Sequence, residues 1–197
     1  VILVVLTLLF LTPLFQYLPN AILASIIMVS VVNLVDVKYC KHLWGNRKDE
    51  FFVLMITFFI TLFMGITQGI LIGVLCSLLL MVYRTSKPHF VEIGNIGNSD
   101  YYKNVFRFAD EVVVRNDLLI VRFDSQLYFG NSGYFKKQLL KHMKAKGPNL
   151  KGIILNAESI NYIDATAADM LTKLIHDIRE RGIQFYIAGA IGPTRDI

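Results

Sequence analysis

Residues 1–35 carry no charged side chain, and neither do residues 51–83; from Arg84 onward charged and apolar positions mix as they do in a water-soluble protein. Charge-free apolar runs of this length predict membrane-spanning helices, because an ionised group in hydrocarbon is costly while a helix satisfies its own backbone. Pro13, Gln16 and the Pro19-Asn20 pair break the first run, so the pattern predicts one helix over residues 1–18 and a second over residues 21–35. Residues 36–50 hold Lys38, Lys41, Arg47, Lys48 and Trp44, and read as a polar loop at headgroup level. Residues 51–64 and 70–83 form the arms of a helical hairpin, joined by the uncharged turn Gly65-Ile66-Thr67-Gln68-Gly69. Helices of about 14 residues reach about 21 Å against about 30 Å of hydrocarbon, so these arms require further helices around them.

The chain after Arg84 has a different rhythm. Residues 89–96, 118–123 and 127–129 are strand candidates, with Gly97-Asn98-Ser99-Asp100 as a linker after the first. Residues 134–143 repeat at helical spacing, with Phe135, Leu139 and Met143 on one face, Lys136, Lys137, Lys141 and Lys144 on the other, and Gly147-Pro148 as the stop. Residues 152–155 predict a buried strand and residues 164–181 a second helix with Ala168, Leu171, Leu174, Ile175 and Ile178 inward. Gly182 ends that helix, and residues 183–188 form a further strand. Strands alternating with helices of this length predict parallel β-α-β units in one small α/β domain.

Positive charge sets the orientation of the apolar part. The four basic residues of the 36–50 loop on one side of the hairpin, with Arg84 and Lys87 on the other, put both ends on the cytoplasmic side and Thr67-Gln68 outside. The net charge of +5 comes from such interfacial residues rather than from clustered arginines with interleaved aromatics, which excludes nucleic acid as a partner. The mean hydropathy of +0.51 and the 54% of hydrophobic residues average a very apolar first part with a soluble second part. Cys40 and Cys76, one in the polar loop and one in an apolar run, imply no disulfide framework. The chain begins inside an apolar run without Met or a basic leader, as expected for part of something larger.

Gly65, Gly69, Gly73 and Ser77 recur every fourth residue and define a face where another backbone can approach closely. Gly65 and Gly69 also read as turn glycines, whereas Gly69, Gly73 and Ser77 are the helix-packing candidates. Asn33 and Gln68 are the polar residues of interest in the apolar part, read as interhelical or interfacial amides. The apolar runs hold no Asp, Glu, Lys, Arg or His, so they carry no proton relay or ion-pair gate and read as scaffold.

Several motifs together carry a resemblance. Arg122-Phe123-Asp124-Ser125-Gln126-Leu127-Tyr128-Phe129-Gly130-Asn131 resembles the start of the STAS domain of the SulP anion permeases, the sulfate permease or SLC26 family. Asn161-Tyr162-Ile163-Asp164-Ala165-Thr166-Ala167 is similar to the loop-to-helix motif of the same domain, which is related to bacterial anti-sigma-factor antagonists. Pro13-Leu14-Phe15-Gln16-Tyr17-Leu18-Pro19-Asn20-Ala21-Ile22-Leu23-Ala24 and Val82-Tyr83-Arg84-Thr85-Ser86-Lys87-Pro88-His89 resemble the late helices of that family and their exit into the linker.

The resemblance implies residues 1–85 as the last transmembrane helices of an inverted-repeat transporter of about fourteen helices, and residues 86–197 as a STAS domain truncated at its carboxyl end. It further implies an integral protein of the plasma (inner) membrane with STAS in the cytoplasm, a homodimer, and secondary active transport of an inorganic anion, sulfate first. Bicarbonate, chloride and dicarboxylate are the alternative substrates. The anion site lies between broken helices outside this chain, so no substrate-binding residue falls within it.

The regulatory candidates are Asp164, able to cap the second helix, and Thr166 in its first turn, where phosphate gains from free N–H groups and the helix dipole. The hydroxyl two residues after this Asp is the phosphoacceptor in the related antagonists; Thr166-Ala167 stands here in place of Ser-Gly. A structural threonine in a capped helix start is the competing reading. Gly130-Asn131-Ser132-Gly133 lacks the Gly-Lys-Ser/Thr ending of a phosphate loop and reads as a turn and helix cap. His42, His89, His142 and His176 show no metal-site spacing, and neither a catalytic constellation nor a cofactor motif stands out, so neither enzyme activity nor a cofactor is expected. The competing function is a membrane-tethered signalling module in which STAS binds a nucleotide or a cytoplasmic protein.

Overall fold

The computed structural model describes residues 4, 5, 10, 20–32, 35–97 and 99–195. Apart from Val4, Val5 and Phe10, the helix expected over residues 1–18 therefore lies outside the described residues, as does the amide of Asn33. The chain divides into two compact units, Val1–Cys76 and Ser77–Ile197.

The first unit is helical. α1 (Asn20–Val32) buries none of its residues and is apolar all round. α2 (Val37–Asn46) occupies the segment expected to be a polar loop. The reason is local: the Asp36 carboxylate accepts from the Tyr39 N–H at 2.9 Å and caps the helix, while Leu43 is its one buried side chain. Trp44 packs edge-on against Phe51 with ring centroids 4.9 Å apart, and Lys48 lies 5.9 Å above the indole.

α3 (Lys48–Met64) and α4 (Ile66–Ser86) form the hairpin. Gly65 alone joins them at φ +100°, a conformation that an L side chain rarely adopts, so the five-residue turn expected from the sequence is shorter than foreseen. Gly69 thus lies within α4. Exposed Phe58, Phe59, Leu62, Ile70, Leu71, Val74, Leu78 and Leu79 leave both helices apolar toward their surroundings, and α4, with 21 residues, is long and apolar enough to cross a membrane.

The second unit takes in the end of α4 and an α/β domain: β1 (Phe90–Asn95), β2 (Tyr102–Asn104), β3 (Leu118–Phe123), α5 (Phe129–Lys146), β4 (Gly152–Asn156), α6 (Ala165–Glu180), β5 (Gln184–Ala188) and α7 (Gly192–Arg195). The sheet order is β2-β1-β3-β4-β5. β3, β4 and β5 are parallel, as expected from β-α-β units. β1 instead runs antiparallel to β3 and forms an antiparallel hairpin with β2, so the sheet is mixed. Phe90 opposite Phe123 and Val91 opposite Arg122 fix that register, and Gly97, Ser99 and Asp100, expected as a linker, lie between the two hairpin strands.

Alternate residues of the strands, Leu119, Val121, Phe123, Ile153, Leu155 and Phe185, face one core with α5 and α6. Phe135, Leu139 and Met143 of α5 fill it as the spacing predicts, and Phe90, Phe123 and Phe135 meet in edge-to-face contacts with centroids 5.2–6.2 Å apart. On α6, Ala167, Leu171, Leu174 and Ile178 are buried, while Ala168 and Ile175 only pack against the rim. Two expectations give way here. Residues 127–129 make one isolated bridge, Leu127 with Ile163, and Gly130-Asn131-Ser132-Gly133 forms no separate turn but lies inside α5, which starts five residues earlier than the apolar spacing suggests and which Asn131 does help to cap.

Candidate functional site

The amino ends of α5 and α6 are brought side by side by a short parallel connection. The Leu127 N–H donates to the Tyr162 carbonyl at 3.0 Å and the Asp164 N–H to the Leu127 carbonyl at 3.2 Å. Asp164 then serves both helices. One carboxylate oxygen accepts from the Ala167 N–H at 2.7 Å and caps α6; the other accepts from the Phe129 N–H at 2.9 Å, at the first residue of α5. Each helix start leaves N–H groups without intrahelical partners and carries partial positive charge, so one carboxylate compensates two ends.

Thr166 lies exposed in the first turn of α6, two residues beyond this cap. Its hydroxyl is free of the core. Phe129 and Tyr162 flank the site and are themselves exposed, 73% and 51%.

Asn131, read from the sequence as part of a turn and helix cap, does more than cap α5. Its side chain is fully buried. The amide oxygen accepts from the Tyr128 N–H at 3.0 Å, and the amide nitrogen donates to the Gln126 carbonyl at 2.8 Å and to the Thr85 carbonyl, in the last turn of α4, at 3.4 Å. A helix end leaves carbonyls unpaired, and here the α/β domain supplies a donor to one of them. An amide three residues into a helix, able to reach back to the first N–H, was the signal in the sequence.

A second polar group sits where the chain enters the sheet. Asp124 accepts from Arg122 Nε at 2.6 Å and lies 2.9 Å from His89 Nδ1, while its N–H donates to the His89 carbonyl at 3.0 Å. Burial, the largest single influence, pushes the Asp124 carboxyl up; hydrogen bonds from Arg122 and His89 outweigh it and hold the group below the ordinary carboxylate value. The hydrogen bond to Asp124 in turn raises Arg122.

Elsewhere, Glu92, Tyr102 and Arg115 border an open cavity of about 330 Å³. Its charges are already matched: Glu92 pairs with Lys146 at 2.7 Å and Arg115 with Asp117 at 2.7 Å. Among the described residues, His176, Asp177 and Glu180 form the cluster of potential metal ligands, all exposed on one solvated face of α6. In α4, Gly69 and Gly73 are buried and Ser77 is exposed. A methyl group on Gly69 would overlap the Thr61 side chain of α3, and one on Gly73 would come within 2.8 Å of Thr57 Oγ1. Gln68 is exposed in the first turn of α4.

Apolar helices long enough to cross a membrane thus precede a small α/β domain with one shared helix cap. Comparison with known proteins gives the family. Residues 1–57 match the model of the sulfate permease family and residues 110–197 that of the STAS domain. The chain is 35% identical over 200 residues to the probable sulfate transporter 4.2 of Arabidopsis thaliana, and 32% identical over 201 residues to the high affinity sulfate transporter 2 of Stylosanthes hamata. These alignments take in 97% and 98% of this chain but 29% and 30% of those proteins. The structure of the murine Slc26a9 anion transporter in its inward-facing state superposes with a TM-score of 0.77 at 22% identity, over 97% of this chain and 31% of that one, a likeness of fold. The chain belongs to the sulfate permease (SulP/SLC26) family and comprises an apolar helical segment followed by a STAS domain. It spans about 30% of the length of the curated relatives it matches.

Proposed function

We propose that this chain is part of a secondary active transporter of inorganic anions, with sulfate as the first substrate. Bicarbonate, chloride and dicarboxylates are the competing substrates. The carrying observation is the order of the two matches along one chain, sulfate permease then STAS, at 35% identity to a protein named as a sulfate transporter. Since the relatives are about three times as long, the anion-binding residues are assigned to segments with no counterpart here. In this reading residues 1–85 belong to the scaffold against which substrate-bearing helices move. Residues 86–197 form a cytoplasmic regulatory and assembly module with Asp164 and Thr166 as its control point, and the protein assembles as a homodimer in the plasma membrane. The helix starts joined by Asp164, with Thr166 exposed beside them, support that assignment.

Uptake of labelled sulfate into vesicles holding the full-length protein tests the reading, with unlabelled sulfate, chloride, bicarbonate and a dicarboxylate as competitors. Sulfate should enter and should itself compete best. If none of these anions crosses while the STAS domain captures a nucleotide or a cytoplasmic protein, the protein is a tethered signalling module instead.

A further inference from the structure

We propose that the STAS domain rests on the lipid headgroup layer through the amino ends of α5 and α6, with Phe129 and Tyr162 as interfacial anchors. The argument starts at the end of α4. Its apolar surface runs through Val82 and Tyr83, and Lys87 donates to the Tyr83 hydroxyl at 3.2 Å with its ammonium 4.5 Å above the ring. A tyrosine and a lysine closing an apolar helix mark the level where hydrocarbon gives way to headgroups. Asn131 of α5 touches the Thr85 carbonyl within that same last turn. The amino end of α5 is therefore at headgroup level, and the Leu127–Ile163 bridge brings the amino end of α6 alongside it.

What this end presents fits a bilayer surface. Phe129 is 73% exposed and Tyr162 51%, although each lies beside a helix start whose own core residues are fully covered. At the water–lipid boundary Tyr162 can bury its ring and keep its hydroxyl hydrated, and Phe129 gains from burial of its ring alone. Basic residues lie on the same side: Lys87 stands at the exit, and Lys136 and Lys137 are exposed in the third turn of α5, about 10–12 Å along its axis from Phe129. Two acidic groups at this end are engaged within the fold, Asp164 in the two caps and Asp124 with Arg122 and His89, while Asp169 pairs with Lys173 on the surface and Glu158 is exposed in the loop before α6. Thr166 shares this end, so a charge added there would face the headgroups as well as the helix start.

The test uses the full-length protein, with every native cysteine, Cys40 and Cys76 among them, replaced by Ser, in phosphatidylcholine vesicles containing about 30% phosphatidylserine. Single cysteines at Phe129→Cys, Tyr162→Cys and Lys144→Cys carry a fluorophore, and quenching is read with a headgroup-labelled nitroxide lipid and with aqueous iodide. Lys144 lies exposed near the far end of α5, about 22 Å along the axis from Phe129. Labels at positions 129 and 162 should be quenched by the lipid at least twice as strongly as the label at 144, which iodide should reach instead. Equal lipid quenching at 129 and 144 overturns the proposal. So does shielding of 129 from both quenchers, which assigns the surface to a protein contact. Where loss of an aromatic impairs folding, Gly133→Cys reads the same end, because a side chain there enters open space. A label at Leu79→Cys, exposed on α4, separates the two failures. Quenching there by an acyl-chain nitroxide without headgroup quenching at 129 sinks this inference alone, and absence of quenching at 79 sinks the membrane assignment of α4 with it.

Discussion

The Asp164 carboxylate accepts from the backbone N–H of Phe129 at 2.9 Å, across 35 positions of sequence, while its other oxygen caps α6. One side chain thereby fixes two helix starts relative to each other. Any charge placed near it acts on both ends, because the two dipoles share a single compensating group.

Replacing this carboxylate by a methyl group removes two charge-assisted hydrogen bonds. Asp164→Ala should cost about 1–2 kcal/mol of domain stability, and Asp164→Asn, which keeps one carbonyl acceptor, should cost less. Amide hydrogen exchange is the informative measurement. Protection should fall at Phe129 and at Ala167 together; loss at Ala167 alone would mean that the link to α5 contributes nothing.

Substitutions at Thr166 test the proposed regulatory role apart from transport. Thr166→Ala removes an exposed hydroxyl and should change stability by less than about 0.5 kcal/mol and leave the basic uptake rate intact. Thr166→Glu adds charge beside the shared cap and should alter rate or partner binding. Equal uptake and equal partner binding for wild type and both variants, at matched protein amounts, would leave Thr166 with a structural role only.

The α3–α4 hairpin depends on two absent side chains. Gly73→Leu pushes against Thr57, and Gly69→Leu against Thr61, where space is tighter still. Overpacking of this kind costs about 1–3 kcal/mol. Both variants should lose folded protein or uptake well beyond Leu79→Ile, whose side chain is exposed. Wild-type yield and uptake for Gly73→Leu would show that the two helices part without penalty.

The pH dependence of the domain follows from Asp124. Its carboxyl is held below the ordinary value, so its stabilising contribution is present above that value and is lost as pH falls through the lowered one. Asp124→Asn should therefore be less stable than wild type at neutral pH, with the gap closing in acid. Denaturant unfolding at neutral pH and below the carboxylate range reads this directly, and a gap independent of pH would contradict it.

Orientation is the last point. A cysteine at Gln68, exposed in the first turn of α4, should react in intact cells with an impermeant maleimide. A cysteine at Lys48 should react only after the membrane is opened. The reverse pattern would invert the topology.

The sequence by itself determined the charge-free apolar runs and the mixed-polarity part that follows them, the helical hairpin, the three parallel strands and the inward faces of α5 and α6. Those features are written in hydrophobic period and in the absence of charge, which are local quantities. It also marked Asp164 as a cap, since an Asp before an apolar run at helical spacing is a local signal. α2 was legible in principle from Asp36 and Leu43, but its basic residues favoured a loop. What only the tertiary structure decided were relations between distant segments: the antiparallel seating of β1 beside β3, the second bond of Asp164 to Phe129, and the reach of Asn131 to Thr85 across 46 positions. Hydrogen bonds between remote backbone groups have no periodicity along a chain, because any residue's N–H or carbonyl can supply the partner. Asn131 looks like a turn residue until burial removes water as its alternative, and the fold must then bring a carbonyl to each of its N–H groups.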